Sequence, residues 1–143
     1  MILNLEILIF TFVSAYMDLK WWKVKNEWLL FGLAAGVITH FLQESPGFVS
    51  GLLGMIIPFA LLIGLYACRK IGAGDIKMFM VTGFMLGHET ILPFMLGAMI
   101  CGAVWFAFLA VRAHNIRLVL KVRVHVAVCA FVSALCWIGG IYG

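Results

Sequence analysis

Only two aspartates occur in the chain, Asp18 and Asp75, and each precedes a lysine by two positions, in "DLK" at 18–20 and "DIK" at 75–77. Two carboxyls held together can hydrolyse a peptide. One acts as general base toward water, and the other, protonated, polarises the scissile carbonyl. Carboxyls about 3 Å apart cannot both ionise readily, so they share a proton and supply both forms at once. A titration would then belong to the pair rather than to either residue. Asp75 lies behind two glycines, in "RKIGAGDIKM" at 69–78. Gly72 and Gly74 lack side chains, so backbone or substrate can come close, and they permit conformations closed to other residues. An extended peptide could lie beside this segment and offer its own backbone. Lys20 and Lys77 are candidates to bias the pair or hold substrate. The competing reading makes them interfacial anchors whose stems snorkel toward headgroups.

The chemistry requires elements that bring the two acids to one place. Of the 143 residues, 65% are hydrophobic and 11% are charged, against roughly 25% charged in a soluble domain. That balance indicates an integral membrane protein. The apolar runs lack the alternation of barrel strands, and open sheet edges are excluded from lipid, so the expected fold is an all-α bundle of about six transmembrane helices. The spans fall near 1–17, 28–43, 47–68, 76–88, 91–112 and 124–142, within one transmembrane domain over 1–143. The fourth is too short to cross a hydrocarbon core about 30 Å thick, which sets Asp75 slightly inside the membrane, reached by water through a cavity.

The basic residues fix the orientation. Lys20, Lys23 and Lys25 follow the first span, Arg69, Lys70 and Lys77 surround the turn after the third, and Arg112, Arg117, Lys121 and Arg123 follow the fifth; these are all ten Lys and Arg. Six crossings put these loops on one face, which the positive-inside rule makes cytoplasmic, with both termini outside. Asp18 ends the first span and Asp75 opens the fourth, so both emerge at that face. The net charge of +4 therefore reports topology, and nucleic-acid binding is excluded.

The remaining residues read as structural. Cys68, Cys101, Cys129 and Cys136 include no C-x-x-C pair and are expected as small buried thiols. The histidines, His40, His88, His114 and His125, are scattered, so neither a metal nor another cofactor is expected. Glycines within spans, Gly32 with Gly36 and Gly51 with Gly54, suggest close helix packing. The stretch "AHNIRLVLKVR" at 113–123 is either an interfacial amphipathic segment or a cytoplasmic loop.

"GAGDIK" at Gly72–Lys77, followed by an apolar helix ending in "GFMLG" at Gly83–Gly87, resembles the signature of the type IV prepilin peptidase family of G-x-G-D membrane aspartyl proteases. The upstream segment "YMDLKWWKVKN" is similar to the family's first aspartate motif. Asp18 stands at the acid, Lys20 at the basic position, Val24 at the isoleucine and Asn26 at the asparagine eight residues on, while Lys25 replaces the usual proline. The resemblance covers almost the whole chain. It implies an endopeptidase that cuts the basic leader from prepilin-like membrane proteins at the cytoplasmic face, with Asp18 and Asp75 as the catalytic pair and Gly72, Gly74, Lys77, Lys20 and Asn26 shaping the site. Longer members carry an N-terminal region with paired cysteines, linked to N-methylation. This chain begins directly in its first span, so it is expected to lack that activity and to resemble the short forms serving tight-adherence or related pili. "KVRVHVAV" before the last span lacks the proline those forms often carry.

Two other classes fit the same acids. A small ion- or proton-coupled transporter would use Asp18 and Asp75 as coupling groups, but transport sites lie near the midplane and both acids here fall at one boundary. A non-catalytic scaffold for a pilus or secretion assembly would not need both. Presenilin-like proteases share G-x-G-D but have about nine spans and a Tyr-Asp element; here Met17 separates Tyr16 from Asp18.

Overall fold

The computed structural model describes residues 2–21, 24–42, 47–67, 71–113 and 126–140. Cys68, Arg69, Lys70, His114, His125 and nearly all of the 113–123 stretch lie outside the described residues. Six helices and no strands are present among those described: α1 (Ile2–Trp21), α2 (Asn26–Leu42), α3 (Phe48–Ala67), α4 (Ala73–Leu86), α5 (His88–Ala113) and α6 (Val126–Ile138). They alternate in direction. One end of the bundle therefore collects the finishes of α1, α3 and α5 and the starts of α2, α4 and α6. It is called the aspartate end below, and the opposite one, near His40 and His88, the histidine end.

α1 shows how the sequence divides its faces. Leu5, Ile9, Phe12 and Tyr16 recur at helical spacing and are exposed, whereas Ile7, Thr11, Ser14 and Asp18 form the opposite, buried stripe. The buried face mixes apolar Ile7, Phe10 and Ala15 with polar Thr11, Ser14 and Asp18, while large apolar side chains make up most of the exposed face, unlike a water-facing helix. The buried hydroxyls are satisfied within the helix: Thr11 donates to the Ile7 carbonyl at 2.7 Å and Ser14 to that of Phe10 at 2.7 Å. Thr82 of α4 donates likewise to Met78 at 2.9 Å. α5 is long and apolar enough to cross a membrane over 21 residues, His88–Phe108, and 22% of its most apolar stretch is buried. α2, α3 and α6 are apolar but shorter over their qualifying stretches.

The fourth helix is the centre of the bundle. α4 touches each of the other five helices, and from Val81 to Leu86 every residue is buried. Close approach to α3 depends on two glycines. A Cβ on Gly54 would overlap the Gly83 carbonyl oxygen, and a Cβ on Gly83 would overlap that of Gly54. Pro58, inside α3, has no N–H, so the Gly54 carbonyl lacks its usual partner four residues on. That carbonyl instead lies against Gly83, where a Cα–H contact takes its place. The glycines of α2 also pack closely, Gly32 against the Phe10 ring and Gly36 against Phe84, as the sequence suggests.

The boundaries shift the expected spans at two informative places. α4 starts at Ala73, three residues before the expected span, so Asp75 lies within its first turn rather than ahead of it. The fourteen residues of α4 measure about 21 Å, so the expected shortness holds. At the histidine end the elbow after α4 is pinned level with the first turn of α3: the His88 N–H donates to Ser50 Oγ at 3.3 Å, and Ser50 Oγ also bonds His88 Nδ1 at 2.9 Å. From that level α3 runs on for about 25 Å and α4 reaches Asp75 in about 20 Å. With the helices side by side, Asp75 is recessed from the end of α3 by roughly one turn.

Candidate active site

Asp18 stands on the inward face of the last turns of α1, with 9% of its surface exposed. The helices around it are tied just beyond that level. Trp28 Nε1 on α2 donates to Ser14 Oγ at 3.2 Å and to the Phe10 carbonyl at 3.4 Å, and its ring stacks on Phe10. Ser133 of α6 donates to the Phe94 carbonyl of α5 at 2.8 Å, and Phe12 meets Phe131 edge-on across α1 and α6. Continued in register, these contacts bring Cys101 and Cys129 to within about a turn of Asp18. The Cys129 thiol meets that of Cys101 and lies within electrostatic reach of the Asp18 carboxylate. Cys129 is buried, as expected of a small buried thiol, whereas Cys101 and Cys136 are half-buried.

Asp75 is the third residue of α4 and is half-buried. Its Oδ2 accepts the Gly72 N–H at 3.2 Å, reaching back over the first turn. The Gly72 carbonyl accepts from the N–H groups of Asp75 at 3.1 Å and Ile76 at 3.4 Å. The carboxylate therefore both caps the helix and faces its positive end.

The glycines serve differently from the expectation of unusual backbone. Gly72 has φ −79° and ψ 152°, an extended conformation open to any residue, and Gly74 lies within the helix. Among the described residues positive φ occurs at Gly87 and Gly140, not here. What Gly72 and Gly74 contribute is room. A Cβ on Gly72 would press on Asp75 Oδ2 at 3.2 Å, and one on Gly74 would meet only the Val24 nitrogen at 4.0 Å.

That last contact joins the two acids' surroundings. Glu6 with Thr39, Phe10 with Gly32 and Ser14 with Trp28 set an antiparallel register between α1 and α2. One turn further, that register brings Asp18 level with Val24, which is buried and lies beside Gly74. Asp18 and Asp75 thus occupy the same end of the bundle. Asn26 and Lys77 are brought together as well, although 51 residues apart: Lys77 Nζ donates to Asn26 Oδ1 at 3.3 Å, tying the start of α2 to the first turn of α4. Lys20 goes elsewhere. Its Nζ sits over the Trp21 ring at 4.8 Å and 3.5 Å from Tyr16 Oη, on the outward face of α1. Ser14 and Trp28, which floor the Asp18 side, are absent from the sequence-derived site. The available signal was Ser14 four residues before Asp18, which puts both on one helix face.

The type IV leader peptidase family model matches residues 5–107, and the chain belongs to that family. The match covers both aspartates and every residue of the sequence-derived site. Nothing matches the chain among curated proteins or among solved structures. Membership makes the chain one of a family of membrane-associated proteases whose substrates are prepilin-like proteins.

Proposed function

We propose that the chain is a multi-pass aspartyl endopeptidase of the cell membrane, which removes the basic leader of a prepilin-like membrane protein at the cytoplasmic face. Asp18 and Asp75 are the catalytic pair. The observation that carries this reading is the register through Ser14–Trp28 and Val24–Gly74, which brings the turns of both acids to one end of the bundle. The large exposed apolar side chains of α1, and the position of Lys20, Lys25, Lys77 and Arg112 at the aspartate end, support the membrane placement and its orientation.

In the mechanism, the substrate enters as an extended peptide across the space beside Gly72 and Gly74. One carboxylate takes a proton from water as the oxygen attacks the scissile carbonyl. The partner's proton is donated to the carbonyl oxygen, giving a neutral tetrahedral intermediate. Collapse expels the amine of the mature chain, protonated by the first acid, and returns the shared proton to the pair. Asn26 and Lys77 are positioning residues, fixing the α2–α4 seam at the mouth of the site.

The test is leader cleavage of a co-expressed prepilin-like protein, read by gel shift for wild type, Asp18→Asn and Asp75→Asn. Asparagine keeps a side-chain acceptor for the Gly72 N–H but removes the acid. Each variant is expected to insert normally and to lose at least about 10²-fold in cleavage rate. Wild-type cleavage retained by either variant refutes the dyad.

A further inference from the structure

The last turn of α1 has two chemically opposite faces. Asp18 points inward. Tyr16, Lys20 and Trp21 point outward, and both rings are about half exposed, Tyr16 at 52% and Trp21 at 46%. Lys25, beyond the turn, comes back to the same indole. Lys20 Nζ lies 4.8 Å and Lys25 Nζ 4.9 Å from the Trp21 ring centre, and Lys20 also lies 5.7 Å from that of Tyr16. Tyr16 and Trp21 meet edge-on, 6.3 Å between centroids. Two ammonium groups that would otherwise sample solvent are held on one aromatic platform by cation–π attraction. They share a ring, so the two positive charges are concentrated on one patch at the end of α1.

We propose that this outward face, formed by Tyr16, Lys20, Trp21 and Lys25, is a headgroup site for an anionic phospholipid of the adjacent leaflet. The inference rests on the membrane placement in the proposed function, not on peptide cleavage. Three features favour a lipid phosphate over a free one. The platform continues outward-facing apolar positions of α1, Phe12, Tyr16 and Leu19, along which acyl chains can lie. The rings are of the two types enriched at the membrane–water boundary. Two of the nearby acids are turned away from the lysines, Asp18 buried on the opposite face and Asp75 half-buried against Gly72, while Glu27, on the first turn of α2, is exposed. Glu27 opposes the anion, so Glu27→Gln should tighten binding. A seated headgroup would hold the end of α1 at a fixed depth. Asp18, on the same turn, would be held with it, which matches the carboxyl to the depth of a scissile bond near the start of a substrate helix.

The test uses the full chain in neutral detergent micelles, titrated with brominated phosphatidylglycerol or brominated phosphatidylcholine while tryptophan fluorescence is read. Trp21→Phe identifies the share of the signal that belongs to Trp21. Wild type is expected to show saturable quenching of that share by phosphatidylglycerol at low mole fraction, with phosphatidylcholine quenching weakly and without saturation. Lys20→Gln and Lys25→Gln should each weaken the apparent affinity about fivefold, since a lysine near the surface contributes about that factor. Arg112→Gln, exposed at the end of α5, should leave it within twofold. Equal quenching by both lipids in a micelle-inserted protein overturns the inference and leaves the membrane reading standing. Relief of quenching by millimolar inorganic phosphate marks a free-anion site and overturns the lipid assignment. A chain that stays monodisperse without detergent refutes the membrane placement itself, and the lipid site with it.

Discussion

The histidine end and the aspartate end of the bundle are made of different contacts. At the histidine end, α3 and α4 meet backbone to backbone at Gly54 and Gly83. His40 Nε2 donates to the Phe84 carbonyl at 2.7 Å, and Ser50 caps the α4–α5 elbow. At the aspartate end no backbone crowds the glycines, a Cβ on Gly72 meeting only the Asp75 carboxylate and one on Gly74 only the distant Val24 nitrogen, and the contacts are long polar reaches such as Lys77 to Asn26. One end uses small residues to remove space and the other uses them to leave it. The difference explains how a fourteen-residue helix can carry an acid. α4 is clamped over its last two turns by close backbone packing, and its first turn, with Asp75, is held at the mouth of the site by polar contacts instead.

The comparison breaks most severely at the clamp. Gly83→Leu would push a branched side chain into the Gly54 carbonyl, in a crossing with no room to relax. Overpacking of this kind costs about 1–3 kcal/mol or more. The expected result is loss of the folded, membrane-inserted form, read by protease sensitivity and by thermal unfolding in detergent. Gly74→Ala, with only a 4.0 Å neighbour, should leave unfolding unchanged. If both variants unfold alike, small residues at the two ends serve the same purpose and the contrast is wrong.

A milder intervention acts at the open end. Lys77→Met keeps the aliphatic stem and removes the bond to Asn26, and Asn26→Leu removes it from the other side. Each is expected to reduce leader cleavage about tenfold, or ~1.4 kcal/mol in the barrier, with the unfolding midpoint unchanged. The double variant should fall little further than either single one, since both remove one interaction. Additive losses would mean that the two residues act separately, on substrate rather than on the α2–α4 seam.

Much of this architecture is legible in the sequence, because the proposed membrane placement allows few solutions. Apolar runs of helical length, with every Lys and Arg in alternate loops, leave little choice but six helices with both aspartates at one end. The shortness of α4 is likewise visible in its run. Its central position is not, because burial on all sides comes from what neighbours do, and the run itself is no more apolar than those of α3 or α6. The Gly54–Gly83 crossing also places against Gly83 the carbonyl that Pro58 leaves without its helical partner, a relation between three residues that pairwise spacing does not reveal. Lys20 and Lys77 follow their aspartates identically in sequence. Lys20 sits two residues past an inward-facing acid on a long helix and so turns outward to Trp21, whereas Lys77 on the first turn of a buried helix reaches the nearest polar atom, Asn26.

The smallest effect is expected at the acid that the chemistry does not use. Glu6, on α1 near the histidine end, has Oε2 bonded to the Thr39 hydroxyl, and its other oxygen is buried with no hydrogen-bond partner. Thr39 also bonds the Ala35 carbonyl at 3.0 Å, so removing the carboxyl does not orphan the hydroxyl. Replacing an incompletely satisfied buried polar group by an apolar one of similar size is close to neutral. Glu6→Leu should therefore shift stability by no more than about 1 kcal/mol in either direction, and leader cleavage should stay at the wild-type rate. A folded Glu6→Leu protein that no longer cleaves would show that a carboxyl twelve residues up the helix from Asp18, about 18 Å away, takes part in the chemistry. Proton movement along α1, between acids near its two ends, would then join the function.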